Sequence, residues 1–425
     1  MRYKIRYKSH HDASRALKGA LETGEHKGGY LAELLNSSAF TPRALYFHVP
    51  FCNKICSFCP FHRPDALKRR EYHKYLIAEM ERISRYEYMR APLDAVYFGG
   101  GTPTAMTPPQ MDTVLKAAKK YFDIPAGTEI CTETSITELT DEMQSVLIEN
   151  GVNRISAGVQ SFDNATRKML NRRGSGERAA EVVSDVIGKG LTNTGIDLIY
   201  NYPDQTQQSL QRDLDVIKRL GLSGVSFYSL MLHDKTPLSS RLSADEKARM
   251  ADLLREKAFF DQILDELGKC GYNVFELTKL IRNGLDRYDY IRVRHSGGSC
   301  IAVGHGSGGN LDRYHYHNTH DAGVIGGGIN ISPRGRTVSP MYAVIDSFIQ
   351  EMQCAATDLS KYSELTGKDL QKLFGDTLRS MQNDGLLTYA GARLELTRDG
   401  LFFGNNIIDE LVQILVADIR RKKKC

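Results

Sequence analysis

Residues 46–61 read YFHVPFCNKICSFCPF, which sets Cys52, Cys56 and Cys59 in a C-x3-C-x2-C run directly behind an apolar, aromatic-rich segment. The other five of the eight cysteines stand singly at 131, 270, 300, 354 and 425, so the set is not a disulfide framework. Three thiolates converging in one loop read as a metal site. A structural zinc site asks for a fourth Cys or His in a matching second pair, and none follows at that spacing; His62 is the only near candidate. Three soft sulfur ligands suit three corners of a 4Fe–4S cube, which leaves one iron without a protein ligand and open to a reactant.

Outward from the loop, the pattern is strand, long connection, strand. Short β-branched and aromatic runs at Ala44 to Val49, Ala95 to Phe98, Glu129 to Glu133, Arg154 to Val159, Thr194 to Ile199 and Gly224 to Leu230 predict six strands. Between them, Tyr72 to Tyr86, Pro109 to Tyr121, Asp141 to Asn150, Ala179 to Lys189 and Gln207 to Leu220 carry apolar residues at helical spacing. This order implies a parallel sheet with right-handed crossovers, an α/β fold shaped as an open, partial (β/α)6 TIM-like barrel. Its site is expected at the C-terminal strand ends.

Beyond Pro237 the pattern changes to a long helical segment, Ala244 to Cys270, a strand at Tyr272 to Leu277 and a Gly- and His-rich region from His295 to Gly328. The end, helical from Leu370 to Asp384, then LLTYAGARLELT, then helical from about Gly400, has the order of a winged-helix unit, a smaller α+β domain. The expected division is 1–42 as an extension able to lid the site, 43–240 as the barrel, 241–340 as a substrate-facing extension and 341–425 as the C-terminal domain. With 425 residues, 41% hydrophobic and 25% charged, the chain has globular composition and room for one large domain and one small one. A net charge of +5 over this length, and few basic residues on the candidate recognition helix, argue against nucleic acid. No apolar run reaches membrane-spanning length, and the start, MRYKIRYKSHH, lacks a signal-peptide core, so a cytoplasmic protein is expected.

Polar groups recur at the expected rim. GGGTPT at 99–104 ends the second strand, and its glycines are read as exposing N–H donors to an amino acid head group. Glu133, Gln160 and Asp197 follow at or near the ends of the next three strands, while Tyr46 and Phe58 are aromatic neighbours of the cysteines.

The cysteine loop with this sheet resembles the radical S-adenosylmethionine (SAM) superfamily. The resemblance implies a 4Fe–4S cluster on Cys52, Cys56 and Cys59 whose open iron chelates the amino and carboxylate groups of SAM. It also implies one-electron cleavage of the sulfonium to a 5′-deoxyadenosyl radical, driven by a low-potential donor such as a flavodoxin or ferredoxin. More closely, YFHVPFC, GGGTPT, GVQSF, Arg172 in RKMLNR, and DLIY are similar, in this order, to the oxygen-independent coproporphyrinogen III oxidase-like family. In that family Tyr46, Gly100 and Glu133 would contact the cluster-bound SAM. Phe58, Gly101, Thr102, Gln160, Arg172, Asp197 and Met231 would contact SAM, in some members a second molecule. Two departures, NYP after DLIY where GLP is usual and Phe61 in place of an extra Cys, point away from the decarboxylase.

GHGSGGNLDRY at 304–314, MLHDKTPL at 231–238 and LTRDGLFFGNN at 396–406 resemble the anaerobic heme-degrading radical SAM C-methyltransferases, the anaerobilin synthases. Heme is then the expected substrate, methylated and opened with iron release. The alternatives are a coproporphyrinogen III dehydrogenase-like oxidative decarboxylase and a heme chaperone retaining the cluster, although the HNxxYW-like element of the chaperone branch is missing. In YIRVRHSGG at 290–298, Ile291 and Val293 alternate with Arg292 and Arg294, which predicts a strand whose guanidiniums share a face and pair heme propionates. His295, His305, His315, His317 and His320 are candidate heme ligands, His305 foremost.

Overall fold

The computed structural model describes residues 1–17, 28–39, 42–61, 69–318 and 335–422. The six expected strands all form: β1 (Arg43–Val49), β2 (Ala95–Gly100), β3 (Glu129–Ser135), β4 (Arg154–Gln160), β5 (Thr194–Tyr200) and β6 (Gly224–Ser229), paired in parallel in chain order. The crossovers contain α1 (Tyr72–Ile83), α2 (Pro108–Tyr121), α3 (Asp141–Glu149), α4 (Gly176–Gly188) and α5 (Gln207–Leu220). Local sequence starts these helices. Thr140, Ser175 and Thr206 accept from backbone N–H groups of the first turn, and Thr107 and Gln110 form a capping box.

The sheet is larger than six strands. The elements β7 (Tyr272–Glu276), β8 (Lys279–Arg282), β9 (Ser299–Val303), β10 (Gly308–Leu311), β11 (Tyr314–His317) and β12 (Arg336–Thr337) extend it on both sides to the order β12-β11-β10-β9-β1-β2-β3-β4-β5-β6-β8-β7. β9 runs parallel to β1, with Cys300 opposite Ala44, so a late segment completes the sheet beside the cysteine loop. The register puts Tyr46, Tyr97, Glu133, Ser156, Asp197 and Ser226 on one face.

Two expectations are corrected. The helix from Ala244 to Cys270 is two helices, Ala244–Ala251 and α6 (Leu253–Gly268), broken where the Asp252 side chain accepts from Leu254 N–H and Arg255 N–H. The predicted strand in YIRVRHSGG is α7 (Asp289–His295). Its inward residues are Tyr290 and Val293, three apart, packed on Ala44 and Ala95. The Ile–Arg–Val–Arg alternation therefore carried no strand, and Arg292 and Arg294, about 200° apart around a helix, share no face. Arg292 stacks over Phe275 of β7 at 5.1 Å, whereas the Arg294 guanidinium donates to Asn310 Oδ1 of β10 at 2.8 Å, toward the opposite edge of the sheet.

The C-terminal part comprises α8 (Pro340–Met352), β13 (Ala356–Asp358), the helix Leu359–Thr366, α9 (Leu370–Asn383), the hairpin β14 (Leu387–Ala390) and β15 (Arg393–Leu396), the turn Arg398–Phe402 and α10 (Gly404–Lys422). The helix, hairpin, helix order stands as read. Residues 1–17 pack against this part: Tyr7 N–H donates to Asn406 Oδ1 at 2.9 Å, and Asn406 Nδ2 to Ile5 O at 2.9 Å. One hydrophobic cluster runs from the sheet into α8, α9 and α10. Among the described residues no helix is long and apolar enough to cross a membrane.

Candidate functional site

The loop carrying Cys52, Cys56 and Cys59 leaves β1 and is pinned from below. Ser57 N–H donates to Leu170 O at 3.0 Å, Ser57 Oγ to Met169 O at 2.8 Å and Asn171 Nδ2 to Ile55 O at 2.6 Å. All three cysteines open on one cavity of about 410 Å³ at the C-terminal strand ends. Thr102 Oγ1 donates to Cys52 Sγ at 3.4 Å and an Arg172 Nη1 donates to Cys56 Sγ at 3.1 Å, the charge-assisted contacts that sulfur anions favour. Phe58, Gly100, Gly101, Thr102, Glu133, Gln160, Arg172, Asp197 and His305 line the same cavity. Tyr46 lies deeper, its hydroxyl 2.9 Å from Nδ1 of His48, which does line the cavity. Met231 lies beyond β6 and outside the lining, 37% exposed.

The glycines work differently from the sequence reading. Their N–H groups are already used: Gly101 donates to Val49 O and Thr102 to Phe51 O, both at 2.8 Å, and Gly100 donates to Glu133 Oε2 at 3.1 Å. What the site requires is close approach. A Cβ on Gly101 would stand 2.6 Å from Phe51 O, and one on Gly100, whose φ is +112°, would stand 2.7 Å from the His48 ring. GGGTPT thus clamps the cysteine loop to β2 and aims Glu133, in place of offering free donors.

Glu133 is held from both ends, since Tyr97 Oη donates to its Oε1 at 2.8 Å. Burial pushes its pKa up to about 7, and Asp197 adds to the rise against the two hydrogen bonds. Burial likewise raises Asp197, opposed by Lys279 and the Ser226 hydroxyl. Gln160 has φ of +72° at a register shift between β4 and β5, which turns its side chain to the cavity.

Below the cavity the sheet face is aromatic. The Tyr97 and Tyr290 rings stack at 4.4 Å, Tyr46 lies 6.1 Å from Tyr97, and Tyr288 lies 6.4 Å from Tyr97 and 5.9 Å from Phe275. Sequence reasoning missed His48, Tyr97, Tyr288 and Tyr290. The first two were findable by counting two residues from Tyr46 and pairing β1 with β2, whereas the other two required knowing that α7 lies under the sheet.

His305 is 3% exposed, with its ring 4.0 Å from that of Tyr75, and its loop is held by Gly304 N–H donating to Glu79 Oε2 at 3.0 Å. Neither Arg292 nor Arg294 reaches this cavity, which corrects their pairing as a propionate clamp there. Arg294, His315 and His317 instead line a second cavity of about 250 Å³ between β10, β11 and α8. His295 stands apart from both, and His62 and His320 lie outside the described residues.

The residues fit a 4Fe–4S cluster: three cysteine sulfurs open on one cavity that Glu133 also lines, and two of them accept hydrogen bonds. Residues 46–217 match the Radical SAM superfamily and residues 352–403 the HemN C-terminal domain. The heme chaperone HemW of Lactococcus lactis subsp. lactis is 27% identical over 382 residues, 87% of this chain and 97% of that one. The anaerobilin synthase of Escherichia coli O157:H7 is 26% identical over 409 residues, 92% of this chain and 89% of that one. The solved coproporphyrinogen III oxidase HemN from Escherichia coli superposes with a TM-score of 0.79 at 19% identity, covering 97% of this chain and 96% of that one. The fold, the cysteine loop and the C-terminal domain agree in their likeness to HemN-like proteins of the radical SAM superfamily, a likeness that implies a 4Fe–4S cluster and SAM as cofactors.

Proposed function

We propose that the protein is an enzyme of heme breakdown without oxygen, transferring a SAM-derived carbon to the macrocycle, opening the ring and freeing its iron. The observation that carries this reading is the single cavity of about 410 Å³ on which Cys52, Cys56, Cys59, Phe58 and Glu133 all open, in a chain 26% identical to an anaerobilin synthase over 92% of its length. When bound, the cluster and SAM supply one-electron cleavage of the sulfonium, with the electron coming from a flavodoxin- or ferredoxin-like donor.

The chain's residues do the rest. Cys52, Cys56 and Cys59 would hold the cluster. Glu133, aimed by Tyr97 and Gly100, would accept an N–H of the SAM amino group; Phe58, Gly101, Thr102, Gln160, Arg172 and Asp197 would shape the remainder of its pocket with Tyr46 behind them, and Met231, outside the cavity lining, drops out of the set. Whether one or two SAM molecules bind follows from stoichiometry on the reconstituted protein. His48 and the almost wholly buried His305 are the cavity-lining imidazoles that would neighbour a macrocycle seated there.

The test is anaerobic incubation of reconstituted protein with reductant, SAM and heme, following heme absorbance and 5′-deoxyadenosine together. Loss of the heme bands with a methylated open-chain product supports the proposal. Heme bound and returned intact makes the protein a chaperone, and decarboxylation of coproporphyrinogen III supplied in place of heme makes it the oxidase.

A further inference from the structure

A second group of chemically active side chains lies at the seam between the sheet edge and the C-terminal part. The Cys354 Sγ, just past the end of α8, is 3.1 Å from Nδ1 of His295, the last residue of α7. On the opposite side of the ring, His295 Nε2 is 3.1 Å from Oε1 of Glu276, the last residue of β7. Three separate elements thus deliver a thiol, an imidazole and a carboxylate in one line, with a different ring nitrogen serving each neighbour. None of the three lines the cysteine cavity.

The chemistry of that order is specific. A carboxylate at Nε2 favours the tautomer with its proton there and leaves the Nδ1 lone pair facing sulfur. A nucleophile on a base that is in turn oriented by a third group is the general pattern of an activated side chain. We propose that Cys354, His295 and Glu276 form an activated-thiol site that exchanges with small-molecule disulfides to give a mixed disulfide. The Cys354 sulfur attacks one sulfur of the disulfide, forming a new S–S bond as the old one breaks. His295 takes the thiol proton and passes it to the departing thiolate. One sulfur is oxidised and one reduced, so no other oxidant enters.

Burial pushes the Cys354 thiol up to about 12; Glu276 and Glu351 add to the rise, and Arg292 opposes it. The resting sulfur therefore keeps its proton, and exchange near neutrality depends on the imidazole as base. The half-buried Cys354 contrasts with Cys270, which is exposed to solvent and supplies an internal reference.

The experiment exposes the reconstituted holoprotein at pH 7, without oxygen, to 2-hydroxyethyl disulfide and follows each cysteine by peptide mass mapping. Cys354 is expected to form its adduct at least about tenfold faster than Cys270, and His295→Asn to slow Cys354 alone by about tenfold to a hundredfold. Glu276→Gln, which keeps shape and removes charge, should slow it less. Labelling of the buried Cys131 and Cys300 reports unfolding, so a variant that labels them is replaced by Glu276→Gln as the deciding one. Cys354 reacting no faster than Cys270, or at an unchanged rate in a folded His295→Asn or Glu276→Gln protein, overturns the proposal.

Discussion

At Glu133, position and chemistry are set by different residues. The carboxyl is aimed by Tyr97 and Gly100, while burial brings its pKa to about 7. A carboxyl that accepts an N–H of the SAM amino group best when ionised, and whose pKa burial raises to about 7, would link SAM binding to its own deprotonation. The proposed role predicts that SAM affinity, measured by calorimetry on reconstituted protein, is flat above pH 8 and falls toward tenfold per pH unit below pH 7. Glu133→Gln should bind more weakly and lose that slope; a slope retained in the variant assigns it to another group. Gly101 gives a steric counterpart. Gly101→Ala puts a methyl 2.6 Å from Phe51 O, so the cysteine loop must move, and iron content after reconstitution should fall well below wild type while melting temperature changes little. Full iron loading in that variant would show that the loop tolerates displacement. Cys52, Cys56 and Cys59 stood out in the sequence because metal chemistry demands particular residue types at particular spacing; the GGGTPT run stood out too, but its role as a clamp on Phe51 and His48 did not, because close backbone approach is set by the fold. Tyr97 was not, since a buried strand tyrosine looks the same whether or not a carboxylate lies across from it.

Among the elements, β1 to β6 and their crossover helices were readable because each is a long local pattern with its own caps, as at Thr140, Ser175 and Thr206. Two kinds of element were not. β9 joins β1 across more than two hundred residues, a pairing that no local period encodes. In α7, the apolar–charged alternation from Ile291 to Arg294 imitated a strand, while the inward spacing was Tyr290 to Val293. The helix separates the two arginines in consequence as well as in space. Arg294 sits beside Cys300, Tyr290 and Asp346 and bonds Asn310, whereas Arg292 lies over Phe275 and donates to Arg287 O at 2.5 Å. Arg294→Gln should therefore lower stability by about 1 to 3 kcal/mol in urea unfolding, because buried partners are left unmatched. Arg292→Gln should stay within about 0.5 kcal/mol. Equal effects from the two substitutions would contradict the helical geometry, and it is this split, rather than a shared loss of heme binding, that the fold now predicts.

Over the whole molecule, the first residues of the chain join the sheet to the C-terminal part. Arg6 is the centre of that joint: its guanidinium pairs with Glu256 Oε1 at 2.5 Å, donates to Tyr200 Oη at 2.7 Å and to Phe402 O at 2.6 Å, and lies 4.3 Å from the centre of the Phe402 ring. Tyr200 ends β5, Glu256 is on α6 and Phe402 lies two residues before α10, so one side chain spans the sheet, its outer helix and the C-terminal domain. The Glu256 side chain is 1% exposed, and without Arg6 the ion pair left to it among the described residues is Lys8, at 3.2 Å. Attraction within a buried pair roughly offsets the desolvation of its two charges, but removing one partner leaves the other buried and uncompensated. Arg6→Ala should accordingly cost about 3 kcal/mol, while Arg6→Leu combined with Glu256→Met, which removes both charges and keeps apolar volume, should recover most of it. If Arg6 couples the two parts, the single variant should also broaden the unfolding transition or split it, with fluorescence and circular dichroism no longer coinciding, and the double variant should restore one transition. A single variant that unfolds at the wild-type midpoint would mean that the continuous apolar core from the sheet to α10 holds the two parts together without the N-terminal segment.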